Sequence, residues 1–182
     1  MRVGSPRIHD SFCQKGGKLI KRHDLIRNVL ARFCRDALLC PTVEENGLLV
    51  EDAGNCPADI FIPDFNGRGV CIDVSVVSSH INRNQSGLQP GYNAHQAEIA
   101  KCQKYLPCCS NNGFRFVPFI IESLGGFGPQ ALAFMDQLAI MVADRKGMTV
   151  PECSRHLRQK INFVVTQATA SVIACRLPLD FA

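Results

Sequence analysis

The stretch "CPADIFIPDFNGRGVCIDVSVVSSH", residues 56–80, decides how the chain folds. Two β-branched runs, ADIFIP and VCIDVSVVS, flank Asn66-Gly67, a dipeptide that accepts the positive φ angles of a tight hairpin turn. Each run carries one aspartate among apolar neighbours, Asp59 and Asp73. Directly opposed residues of an antiparallel pair share a constant sum of residue numbers. A three-residue loop Phe65-Asn66-Gly67 gives a sum of 132 and sets Asp59 against Asp73 on one face, with Cβ atoms about 4.5 to 5.5 Å apart. A two-residue Asn66-Gly67 turn gives 133 and staggers them. The sequence leaves both registers open.

Facing carboxylates cost stability unless something compensates them. A hard divalent cation does so: Mg²⁺ or Mn²⁺ takes one or two carboxylates as ligands, keeps several waters and can coordinate a substrate phosphate. The plain alternative is two strand-end aspartates, solvated or hydrogen-bonded, with no metal.

Outward from the hairpin the chain alternates recognisable elements. "KLIKRHDLIRNVLARFCRDAL" places Leu19, Leu25, Ile26, Val29, Leu30, Phe33 and Ala37 on one stripe, which predicts an amphipathic helix. "TVEEN" reads as a weak strand, and "HINRNQSGLQPGY" as a loop. "NAHQAEIAKCQKYL" is a second helix and "FRFVPFIIES" a further strand. "LGGFGPQ" is a turn whose Pro129 suits the first position of a helix striped by Leu132, Met135, Leu138, Ala139 and Val142. A last helix starts at a Thr149 cap and carries Leu157, Ile161, Val164, Ala168, Val172 and Cys175 at helical spacing. The expected order is α, β, β, β, α, β, α, α, in one domain.

At 182 residues, 46% hydrophobic and 20% charged, the chain suits one globular domain. No apolar run reaches the roughly 18 to 20 residues of a membrane span, and the start "MRVGSPRIHDSF" lacks an apolar signal core. An intracellular protein, nuclear or cytoplasmic, is therefore expected. The ten cysteines are expected to be reduced core thiols, with Cys108-Cys109 exposed. Residues 1–35 hold nine Lys/Arg against two acids, and the rest hold eleven against fourteen. Basic excess on the first helix fits contact with a phosphate backbone, and equally a solvated helix face.

With these residues in view, the chain resembles a known group of enzymes. The order αβββαβ, the Asp of "CPADI" and the acid of "IDVSV" are similar to the PD-(D/E)XK restriction-endonuclease-like nucleases. That resemblance implies a restriction-endonuclease-like core with two additional C-terminal helices, in which Asp59 and Asp73 bind Mg²⁺ or Mn²⁺ and a lysine helps to activate water. The lysine position of the motif holds Ser75 here, but the helix "AEIAKCQKY" offers Lys101 and Lys104 on one face. A lysine moved onto this helix resembles the endonuclease domain that follows the reverse transcriptase in some site-specific non-LTR retrotransposons. The blocks "GG...RHDLIRNVLARF", "PADIFIPDF.G....DVSVVS", "AEIAKCQKY", "F.PFIIESLGGFG..A..F" and "RLP" look like the C-terminal region of reverse-transcriptase-associated proteins across nearly the whole chain. Such relatives carry Arg where this chain has Cys56.

The resemblance also bears on the N-terminus. His9 and Cys13, at H-x3-C spacing, resemble the second half of a CCHC zinc module. A structural Zn²⁺ needs four ligands, and no Cys pair stands upstream, so residues 1–18 are expected to be a flexible remnant, followed by one endonuclease-like domain over 19–182. Ancestral fusion to a reverse transcriptase is implied.

Other polar residues have plainer expected roles. Glu44 and Glu45 read as solvated strand-end acids, Glu98 as the helical ion-pair partner of Lys101, and Glu122 as a turn residue. His23 and His156 read as surface histidines, and Tyr105 as a half-buried core residue. The functional expectation is a Mg²⁺-dependent endonuclease that nicks DNA, with Asp59, Asp73 and Lys101 or Lys104 at its centre. The alternative is an inactive fragment that binds nucleic acid, DNA or RNA, without cutting it.

Overall fold

A computed structural model of the protein describes residues 8–44, 48, 58–79 and 89–174, with side chains from Leu19 onward. The elements are α1 (Ile8–Asp36), β1 (Thr42–Val43), β2 (Ile60–Ile62), β3 (Val70–Val77), α2 (Tyr92–Asn111), β4 (Arg115–Glu122), α3 (Pro129–Lys146) and α4 (Val150–Ala174). This is the order expected from the apolar periodicities. One boundary differs: α1 begins at Ile8 rather than near Lys18, so part of the expected flexible remnant is helical backbone. Segments 45–47, 49–57 and 80–88, which include Glu45 and Cys56, lie outside the described residues, as does Cys175.

The four strands form one mixed sheet in the order β1-β2-β3-β4. The first two pairings are antiparallel, and α2 carries the chain over to β4, parallel to β3. As an edge strand, β4 tolerates Pro118, which has no N–H to donate. In β3, Ile72 and Val74 point into the main core, built with α1, α3 and α4, around Ile26, Leu30, Phe119, Phe134, Leu138, Leu157 and Ile161. Cys71 points the other way, toward a smaller cluster with Cys109, Phe116, Tyr105 and Phe114 under α2. The result is a sheet with three helices on one face and one on the other, an α/β architecture.

Both sequence-level registers of the hairpin occur, in different places. Asn66 and Gly67 have φ of 57° and 83°, and Phe65 N–H donates to the Arg68 carbonyl at 2.9 Å, so the tip is a two-residue turn. The strands nevertheless pair as Ile60↔Ile72, Phe61↔Cys71 and Ile62↔Val70, the 132 register. Pro63 and Asp64 stand against Gly69 alone, and this extra residue absorbs the offset as a bulge does. Gly69 fits because a Cβ there would lie 2.8 Å from the Phe114 ring.

Two buried glutamates tie the layers together. Glu122, at the end of β4, accepts the N–H groups of Asn93 and Ala94 at 2.9 and 3.4 Å, satisfying the first turn of α2. Glu98 of α2 accepts those of Gln130 and Ala131 at 3.1 Å, doing the same for α3. Glu98 is therefore a cap for α3 and not the ion-pair partner of Lys101, and Glu122 is a cap for α2 rather than a turn residue. Two glycines of the LGGFGP turn fit beside these caps: a Cβ on Gly126 would lie 2.5 Å from the Gly91 backbone nitrogen and 2.6 Å from the Glu122 carboxylate, and one on Gly128 would overlap Glu98.

The seven described cysteines are free thiols. Cys109 is buried and Cys108 half-buried, which corrects the expectation that the pair is exposed; α2 turns Cys109 into the small core against Cys71 and Phe116. Among the described residues no helix is long and apolar enough to cross a membrane.

Candidate active site

Asp59 immediately precedes the last 132-register pair, Ile60↔Ile72, and lies near enough to Asp73 for its charge to act on that carboxyl. There the ladder gives way to a side chain: the Val74 N–H, which the register would pair with the Ala58 carbonyl, donates to Asp59 Oδ2 at 2.6 Å. Strand β2 ends at Ile60. Its last polar neighbour is thus fixed against β3 by a charge-assisted hydrogen bond.

Asp73 sits in the middle of β3, with its side chain 14% exposed. The Lys101 ammonium, brought over it by the third turn of α2, lies 3.0 Å from Oδ1 and 2.8 Å from Oδ2. The contact to Oδ1 is a hydrogen bond, whereas that to Oδ2 is a charge contact without hydrogen-bond geometry. Oδ2 is buried and has no hydrogen-bond partner among the described residues. Burial raises the Asp73 carboxyl above the usual carboxylate range; Asp59 adds to the rise, and Lys101 and His23 oppose it.

Ser75, two residues along the same strand face, cannot supply a cation. It lines a shallow cavity of about 350 Å³ with Val77, Lys101, Lys104, Tyr105 and Ile120. Here α2 delivers the positive charge that β3 lacks. The Lys104 ammonium stands 4.6 Å from the centre of the Tyr105 ring and that of Lys101 5.6 Å, so both are within cation–π range. Tyr105 itself packs on Phe116 and is half-buried, as expected from sequence.

Sequence reasoning also misplaced His23. It is not a free surface histidine: Nε2 lies 3.0 Å from Asp59 Oδ2, and this bond is the main reason its pKa is raised. Its Nδ1 is 3.4 Å from Asp24 Oδ1, which is 3.2 Å from Arg27 Nη1. Arg27, buried despite its charge, is ion-paired with Glu44. Glu44 therefore has a partner and is not merely a solvated strand end, although its side chain is largely exposed. A signal existed in the sequence: His23 precedes the buried Ile26 by three residues and Arg27 precedes the buried Leu30 by three, so both lie on the core-facing side of α1. His156, by contrast, is exposed and meets only the edge of Phe33 among described rings, 5.8 Å away.

A divalent cation fits this site in one respect and is incomplete in another. The buried Oδ2 of Asp73, which has an ion-pair contact to Lys101 but no hydrogen bond among the described residues, and the Asp59 carboxylate are hard oxygen donors of the kind Mg²⁺ or Mn²⁺ takes. Among the described residues, however, no three His, Cys, Asp or Glu side chains converge as a ready-made metal cage. The protein would contribute two carboxylates, leaving the other positions to water and phosphate, the usual arrangement for Mg²⁺. His9 and Cys13 fall on α1, and their side chains lie outside those described.

No protein-family model matches this chain, and no curated protein matches it either.

Proposed function

We propose that the protein is a metal-dependent DNA endonuclease domain of retroelement origin, with a restriction-endonuclease-like core. The observation that carries this reading is the Lys101–Asp73 ion pair, with Asp59 fixed beside it on the Val74 N–H and near enough for its charge to act on Asp73. Mg²⁺ or Mn²⁺, held by Asp59 and Asp73, would supply Lewis acidity and lower the pKa of a bound water. Lys101 would leave its ion pair with Asp73, donate to the nucleophilic water and stabilise charge on the phosphate oxygens as the phosphodiester opens. Lys104, along the same wall, would hold a neighbouring phosphate, and the basic α1 would follow the duplex backbone. Nicking of target DNA in this way leaves a 3′-hydroxyl suited to priming by a fused reverse transcriptase.

The test is relaxation of supercoiled plasmid in Mg²⁺ or Mn²⁺. The parent protein should nick and Asp73→Ala should not; equal nicking by both would remove Asp73 from the chemistry. One observation favours a second reading, a nucleic-acid-binding domain that no longer cuts: Ser75 stands in the strand position for lysine, and Lys101 is engaged by Asp73. That reading requires salt-dependent DNA binding, unchanged by Asp59→Asn, with no nicking at any metal concentration.

A further inference from the structure

Asp59 is held by a closed ring of contacts that no metal-binding motif would reveal. Its Oδ2 accepts two donors, the Val74 N–H at 2.6 Å and His23 Nε2 at 3.0 Å. His23 must be the donor, because an ionised carboxylate has only acceptors. From His23 the contacts run through Asp24 to Arg27 and on to Glu44. The ring closes when the Glu44 N–H donates to the backbone carbonyl of Asp59 itself, at 3.1 Å. Helix α1 and strand β3 thus meet at the Asp59 carboxylate, and the residue after β1 meets its backbone.

The direction of that grip matters. Among the described residues both donors meet the same oxygen, Oδ2, and neither meets Oδ1. Two donors on one oxygen restrain the carboxylate, and with Oδ2 so engaged Oδ1 is the oxygen left for a further ligand. We infer that His23 is a positioning residue for the metal carboxylate Asp59: its Nε2–H anchors Oδ2 and thereby sets Oδ1. This inference rests on the nuclease reading for the identity of the ligand, a hard divalent cation. His23 itself touches neither metal nor phosphate. Partners that hold a metal ligand from behind typically contribute 10- to 100-fold in metal affinity, roughly. The anchor explains why an imidazole and a buried arginine occur together on the inner face of an otherwise basic helix.

The experiment measures Mn²⁺ binding by electron paramagnetic resonance on the full chain, with circular dichroism to confirm folding. His23→Leu removes the donor at similar volume, His23→Gln retains an N–H donor, and Asp59→Asn is the control. His23→Ala replaces His23→Leu should the latter not fold. Expected are Mn²⁺ binding by the parent, affinity about 10- to 100-fold lower in folded His23→Leu, substantial recovery in His23→Gln, and loss in Asp59→Asn. A structural role alone would lower the melting temperature and leave the affinity of the folded fraction unchanged. Parent-like affinity in His23→Leu, with binding lost in Asp59→Asn, overturns the positioning role and leaves the nuclease reading standing. Absence of Mn²⁺ binding by the parent overturns both.

Discussion

Lys101 reaches from α2 to Asp73 of β3, with its ammonium 3.0 and 2.8 Å from the two carboxylate oxygens, while Lys104, one turn on, lies over Tyr105. The two lysines therefore have separable roles. Lys101→Ala should lower plasmid nicking by about 100-fold or more, the range for a group that moves protons or stabilises developing charge. Lys104→Ala should lower it by about tenfold or less, as expected for a phosphate contact contributing roughly 1.4 kcal/mol. Initial nicking rates at saturating Mn²⁺ distinguish them; the reverse ranking would move the catalytic role to Lys104.

The cap formed by Glu98 makes stability depend on pH. Burial raises its carboxyl above the ordinary 4.5, against the N–H groups of Gln130 and Ala131 that favour the charged form. An acid whose folded pKa is raised adds stability that is full below the unfolded value and is lost as pH rises through the folded one. Glu98→Gln should therefore flatten the fall in urea-denaturation stability that sets in as pH rises past the ordinary 4.5. Glu98→Ala leaves both α3 donors without an acceptor and should cost about 1 to 3 kcal/mol at pH 7.

Gly126 and Gly128 are required by the two caps. Gly126→Ala brings a methyl against the Gly91 backbone and Glu122, and Gly128→Ala brings one into Glu98. Each should destabilise by about 1 to 3 kcal/mol, the range for overpacking a close contact. Gly113→Ala is a control: a Cβ there meets nothing within 4 Å, but φ is +78°, so only backbone strain is added. Thermal melts that rank Gly113→Ala as the most damaging of the three would contradict the packing argument.

Thiol chemistry reports the main core. Cys34, on the inner face of α1, is fully buried, and burial pushes its thiol up to about 12, whereas Cys40 is exposed. In the native protein at pH 8, an aromatic disulfide reagent should label Cys40 rapidly and Cys34 only on unfolding. Peptide mapping of the labelled sites checks this.

The element order was legible because each segment has a clear period. The 3.6-residue stripe of α4 shows in Leu157, Ile161, Ala168 and Val172, which are buried, although Val164 is half-buried and Val165 takes the core position beside it. The stripe of α1 was read slightly out of phase: Leu19 and Leu25 are exposed, while Ala31, Cys34 and Arg27 are buried. An arginine enters the core side because Asp24 and Glu44 pair with it, and the second of these comes from the residue after β1, 17 positions along the chain. The hairpin turn was legible in Asn66-Gly67, but the register was not, since it depends on how Pro63 and Asp64 fit against Gly69. The proximity of Lys101 to Asp73 followed from the βα order. The contacts of Glu98 and His23 did not, because helical spacing offers nearby partners and tertiary packing supplied α3 and Asp59 instead.

The most direct measurement of the central claim is the position of Mn²⁺, located by its anomalous scattering in crystals of the full chain. The account requires an Mn²⁺ ion at coordination distance, about 2.1 Å, from one oxygen of Asp59 and one of Asp73, with the Lys101 ammonium facing a water on that ion. An Mn²⁺ ion bound elsewhere, or none bound while Asp73 stays closed on Lys101, would contradict it.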